Sequence, residues 1–195
     1  MSNEKDPRIV ATVFMVATES NLNRLLESKT KKALGVLHEN RFAKTTFALC
    51  GSPPNCENAK GIISIISKNN QCRLVKELKP ISVEAWKLLY QRNQSLMGAD
   101  MQTLHNSEAG GPLLVCEGGH LFSCIKEIAK VMRYGEQALL ASNGILITAA
   151  LATALNYWDI KVNLRPGEII AFHFQFGNKN TIEFYNWEYI ELPKV

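Results

Sequence analysis

From Gln137 to Trp158 the chain carries no charged side chain: QALLASNGILITAALATALNYW. A run of this length either crosses a bilayer, which takes about 20 apolar residues, or forms elements buried on more than one side. The Ser142-Asn143-Gly144 tripeptide inside it and the diluting alanines and threonines argue against a span. So does the lack of a basic cluster at either flank. The division falls at Asn143-Gly144. Ahead of it, QALLAS reads as a short buried strand. Behind it, ILITAALATALNYW is about four turns of helix, with Ser142 or Asn143 able to cap its start and Gly144 letting the chain turn closely. The helix is apolar on nearly every side. One side is expected to face its own sheet, and the other needs a second layer from another domain or another subunit.

The flanking sequence extends the pattern. PLLVCEGG (112–119) reads as a strand closed by glycines, and HLFSCIKEIAKVMRYG (120–135) has helical spacing at Leu121, Ile125, Ile128, Val131 and Met132. WDIKVNL (158–164) alternates as a strand. IIAFHFQFG (169–177) and TIEFYNWEYIEL (181–192) form a hairpin around an Asn-rich loop. The first half repeats the order: a strand at 8–18, a helix at 19–40, a strand at 42–51, a helix at 52–70 and a strand at 71–80. Residues 81–111 hold a short helix with Trp86, Leu89 and Tyr90 on one face, followed by loop or linker. Strand–helix alternation of this kind implies an α/β fold.

The segments LLASNGILITAALATAL and CEGGHLFSCIKEIAKVM resemble the Alba family of small nucleic-acid-binding proteins, over about 85 residues of the second half. CRLVKELKP in the first half resembles a strand of Alba-type subunits of eukaryotic RNase P and RNase MRP. The resemblance implies two Alba-like β-α-β-α-β(-β) units in tandem, one at 1–80 and one at 112–195, joined by 81–111 and forming a pseudo-dimer. It implies a non-catalytic, RNA-binding subunit of a ribonucleoprotein, with DNA as a further ligand and another protein subunit, Alba-like or not, as partner. A scaffold subunit that heterodimerises without touching nucleic acid is the alternative. The second half departs from the family pattern: the loop after its first strand is Glu117-Gly118-Gly119-His120, and Ser142-Asn143 precede the turn glycine, without the usual basic residues.

Charge points the same way. Residues 1–105 carry fifteen Lys/Arg against nine Asp/Glu, net +6; residues 106–195 carry seven against nine, net −2. A polyanion is therefore expected on the first half, with Arg24, Lys29, Lys31, Lys32, Arg41, Lys44 and Lys60 as its candidate contacts. The alternating aromatics of the hairpin are expected to face a core.

Other chemistries find little support. Five cysteines occur without a CxxC pair, and the N-terminal MSNEKDPRIV lacks a secretory core, so reduced thiols in a nuclear or cytoplasmic protein are expected. Cys116-x₃-His120-x₃-Cys124 has no partner pair to complete a four-ligand zinc site, and no metal is expected. There is no GxGxxG or Walker-type lysine motif. The histidines His38, His105, His120 and His173 sit in no recognisable nucleophile motif. The expectation is thus no catalytic residue, no cofactor, no membrane and no small-molecule substrate.

Overall fold

The computed structural model describes residues 9–18, 28–37, 41–42, 45–50, 56–66, 72–74, 83–93, 99–178 and 181–193. The described elements follow the order β1 (Ala11–Thr18), α1 (Ser28–Leu37), β2 (Thr45–Cys50), α2 (Cys56–Ile66), β3 (Cys72–Leu74), α3 (Val83–Arg92), α4 (Met101–Asn106), α5 (Gly110–Val131), β4 (Glu136–Asn143), α6 (Gly144–Leu155), β5 (Ile169–Phe176) and β6 (Ile182–Ile190).

The six strands make one mixed sheet in the order β3-β2-β4-β1-β5-β6. The first four are mutually parallel, while β5 runs antiparallel to β1 and β6 antiparallel to β5. β1 is buried along its whole length, as a central strand covered on both faces must be. Period-two alternation sorts its side chains. Val13, Met15 and Ala17 join Ala138 and Leu140 of β4 and Ile170, Phe172 and Phe174 of β5 on one face. There they meet Leu121, Ile125 and Ala129 of α5 and Leu146, Ile147, Ala150 and Leu151 of α6. Phe14 and Val16, with Leu139, Ala141, Ile169 and Ala171, point to the other face. They pack under Leu34 and Leu37 of α1 and Ile62, Ile63 and Ile66 of α2. Phe42 closes this second core, edge-on to Phe14 with ring centroids 4.7 Å apart.

The opening apolar run divides as its chemistry requires. β4 ends at Asn143, whose Oδ1 accepts from the Ile145 N–H at 2.9 Å and caps α6. Asn156 ends the helix in the left-handed region at φ 50°, a conformation asparagine tolerates. The second layer over α6 comes from this chain, not from another domain or subunit. Ala149 packs with Leu89 of α3, Met101 and Leu104 of α4 and Leu114 of α5. His105 stacks on Trp158 at 4.4 Å, fastening α4 to the segment that leaves α6. No helix among the described residues is long and apolar enough to cross a membrane.

Three expectations are corrected here. PLLVCEGG is not a strand but part of the 22-residue helix α5. Leu114, Gly118, Leu121, Ile125 and Ala129 form its buried stripe, and Pro112 sits in the first turn, where a missing N–H costs no helical bond. WDIKVNL lies outside every strand of the sheet, although Ile160, Val162 and Leu164 still pack on the core. Tandem Alba-like units are not what the chain forms. Strand β4 of the second half lies between β2 and β1 of the first, so both halves build one sheet.

Candidate functional site

Adjacent parallel strands β1 and β4 end together, Thr18 opposite Asn143. The helix after β1 packs on one face of the sheet, and the helix after β4 packs on the other. This divergence is a topological switch point. In open α/β sheets ligands bind beyond the carboxyl ends of the strands at such a point.

Thr18, Ser142 and Asn143, at the strand ends themselves, are polar and uncharged. The buried Thr18 hydroxyl donates to the Ser142 carbonyl at 3.1 Å. Ser142 is itself buried. Asn143 leads into α6, whose start carries the positive end of the helix dipole. Gly144 makes a close approach here: a Cβ would stand 3.1 Å from the Leu164 carbonyl oxygen and 3.3 Å from the Leu164 Cβ. The helix start is thus pressed against the strap that returns from α6.

That strap ends in the turn Arg165-Pro166-Gly167, with Gly167 at φ 89°. It is tied to the end of β1 by Gly167 N–H to Ala17 carbonyl (2.9 Å) and Ala17 N–H to Glu168 carbonyl (2.9 Å). The Glu168 carboxylate is buried and accepts from the Arg165 N–H at 2.6 Å. Desolvation of its hydroxyl end, followed by donation of that hydroxyl to Glu168, pushes Tyr189 up to about 12, although the residue as a whole is 39% exposed. The Arg165 guanidinium lies 3.9 Å from Glu168 with its side chain 81% exposed. A largely solvated cation therefore borders the carboxyl edge.

The described histidines lie elsewhere. His105 is in α4, His120 in α5, and His173 in β5, where it contacts the Thr12 hydroxyl at 3.1 Å. His38 lies outside the described residues. Among the described residues no group of three or more His, Cys, Asp or Glu gathers to hold a metal ion.

The basic residues expected to contact nucleic acid fall on several elements. Arg24 and Lys44 lie outside the described residues. Lys29, Lys31 and Lys32 belong to α1, where Lys32 is exposed, and Lys60 belongs to α2. Arg41 is engaged in an ion pair with Glu188 of β6. The aromatics of β5 and β6 divide. Phe172, Phe174, Phe184 and Trp187 pack on or within the core, while Phe176 and Tyr189 are exposed. Sequence reasoning missed Thr18, Arg165 and Glu168. The signal available for them was their position: Thr18 at the mouth of the first strand, and Arg165-Pro166-Gly167-Glu168 at a turn leading back to it.

No family model matches the sequence, and no curated protein matches it. Solved structures do share the fold. A phosphoserine phosphatase from Entamoeba histolytica, in complex with 3-phosphoglyceric acid, superposes with a TM-score of 0.52 at 11% identity, over 91% of this chain and 96% of that one. The mycobacterial glucosyl-3-phosphoglycerate phosphatase gives 0.61 at 10% identity, over 93% and 97%. A phosphoglycerate mutase from Bacillus anthracis gives 0.60 at 11% identity, over 92% and 93%. The chain therefore shares its α/β fold with these solved structures.

This likeness overturns the Alba resemblance and what followed from it: the RNA- or DNA-binding role in a ribonucleoprotein, the non-enzyme reading and the absence of a small-molecule substrate. The physical reason is topological. An Ala-rich helix following a strand and an Asn-Gly turn fits any buried α/β crossover, and it does not by itself select a family.

Proposed function

We propose that the chain handles a small phosphomonoester at the carboxyl edge of β1 and β4. The observation that carries this reading is the switch point at which β1 and β4 end side by side at Thr18 and Asn143, with α6 starting there and the Arg165 turn tied to the end of β1. Backbone N–H groups at a helix start, hydroxyls and a nearby guanidinium are the donors a phosphate dianion uses. The neighbours in fold support the ligand class, since they are named for phosphoserine, 3-phosphoglyceric acid and glucosyl-3-phosphoglycerate. A histidine-to-alanine mutant of the Entamoeba phosphatase has been solved in complex with phosphoserine. A phosphate ester is thus held on this fold after loss of a histidine. That fits an edge whose described groups are Thr18, Ser142 and Asn143.

The neighbours' activities favour a second step, phosphoryl transfer at the same edge. It requires a nucleophile or an activated water in line with the phosphorus. Binding and transfer are separable by experiment. Phosphoserine and 3-phosphoglycerate are titrated into the protein by calorimetry with vanadate as competitor, and inorganic phosphate release is followed in parallel. The decisive variant is Asn143→Asp. Aspartate caps a helix as well as asparagine, so folding is kept while a like charge meets the phosphate. Saturable binding abolished by Asn143→Asp is the expected result. Binding unchanged in that variant, or no binding of either ester by the wild type, would refute the reading.

A further inference from the structure

Helix α5 carries a second chemical feature, separate from the carboxyl edge in function. His120 and Cys124 stand one turn apart on one face, with Sγ 3.9 Å from the imidazole Nε2. Cys124 is half-buried against the core, whereas Cys116, two turns earlier, is exposed, and both are thiols rather than disulfides. Accessibility alone would make Cys116 the reactive one. Proximity to an imidazole argues for Cys124, because the thiolate is the nucleophile and an unassisted thiol is only a few per cent thiolate near pH 7. Partial burial on a helix surface slows access, but it does not remove the ring that accepts the proton.

We infer that Cys124 is a modification site, at which the thiol, served by the His120 imidazole, forms a mixed disulfide with a small soluble disulfide such as oxidised glutathione. Nε2 of His120 takes the thiol proton. The Cys124 sulfur then attacks one sulfur of the disulfide, whose S–S bond breaks as the new Cys124–S–S bond forms. The departing thiolate collects the proton and leaves as a thiol. One thiol and one disulfide become one mixed disulfide and one thiol, so no other oxidant is needed.

The test uses the full-length protein with oxidised glutathione at pH 7, and the rate at each cysteine is followed by fragment-ion mass spectrometry. Cys124 is expected to react faster than Cys116. His120→Gln and His120→Ala should each slow Cys124 roughly tenfold and leave Cys116 unchanged. Circular dichroism of each variant reports that the helix is intact. If neither variant folds, the wild-type pH profile decides. Between pH 6 and 8 an unassisted thiol speeds up about tenfold per unit, and Cys124 should rise less steeply than Cys116. Faster reaction at Cys116, a Cys124 rate untouched by both replacements, or equal pH slopes at the two thiols would each overturn the inference.

Discussion

Two neighbouring glycines in α5 should respond to the same substitution with opposite signs. Gly118 faces α6, and a Cβ there would lie 2.6 Å from the Ala149 carbonyl oxygen, 2.8 Å from the Ala149 carbonyl carbon and 2.9 Å from Thr153 Oγ1. Two of these atoms are helix backbone, so the helices themselves must separate. The Thr153 hydroxyl also donates to the Ala149 carbonyl at 2.9 Å, which leaves that group little freedom. Overpacking of this kind costs about 1–3 kcal/mol. The upper part of that range applies where the obstacle is backbone. Alanine regains about 1 kcal/mol of helix propensity over glycine, so Gly118→Ala should destabilise by about 1–2 kcal/mol. At Gly119 a Cβ would meet nothing within 4 Å, and Gly119→Ala should stabilise by about 1 kcal/mol. In a chain of this size each kcal/mol moves Tm by about 2–4 °C. Thermal unfolding followed by circular dichroism should therefore show Gly118→Ala lower by about 2–8 °C and Gly119→Ala higher by about 2–4 °C. Equal shifts, or a more stable Gly118→Ala, would refute the packing of α5 on α6.

Further outcomes follow from other sites. Asn143→Ala removes the side-chain cap of α6 and should cost about 1 kcal/mol in urea unfolding; an unchanged midpoint would mean that the cap contributes nothing. Ala150 is fully buried in the layer between sheet and helices, so Ala150→Glu should abolish cooperative unfolding, and a soluble variant with wild-type Tm would contradict that layer. Burial holds His173 below its ordinary value, partly opposed by Glu188. The unfolded chain then binds the extra proton first, so stability should decline as pH falls below about 6.5. His173→Asn should flatten the decline between about pH 7 and 5 in denaturant titrations, and an identical slope would remove His173 as its source.

The hairpin and the β4–α6 pair were legible in the sequence because period two marks the strands and the Asn-Gly junction divides the apolar run into a strand and a helix. PLLVCEGG was not. A short apolar run closed by glycines suits a buried strand and a buried helix alike, and what selects the helix is Gly118 against Ala149, a contact 31 residues away in the chain. Strand order was equally hidden, because periodicity says which face a residue takes but not which strand lies beside it. The candidate site inherits that blindness. Thr18 and Asn143 become neighbours only through the β1–β4 register, and the long-range tie from Gly167 and Glu168 to Ala17 has no local sequence signature. Charge asymmetry, by contrast, was plain to read and misled, since a basic half is a statement about solvation and partners rather than about fold.

The insertion of β4 between β2 and β1 bears on how the chain matures. As the polypeptide leaves the ribosome, β1 and β2 emerge more than 80 residues before the strand that must lie between them. Until then each presents unpaired backbone edges and an apolar face, the condition under which nascent chains associate wrongly. Closing the sheet also requires contacts of high sequence separation, which slows folding. A nascent chain stalled before Glu136 would therefore lack the strand that bridges its own halves, and it would depend on chaperones to hold its central strands apart until synthesis resumed.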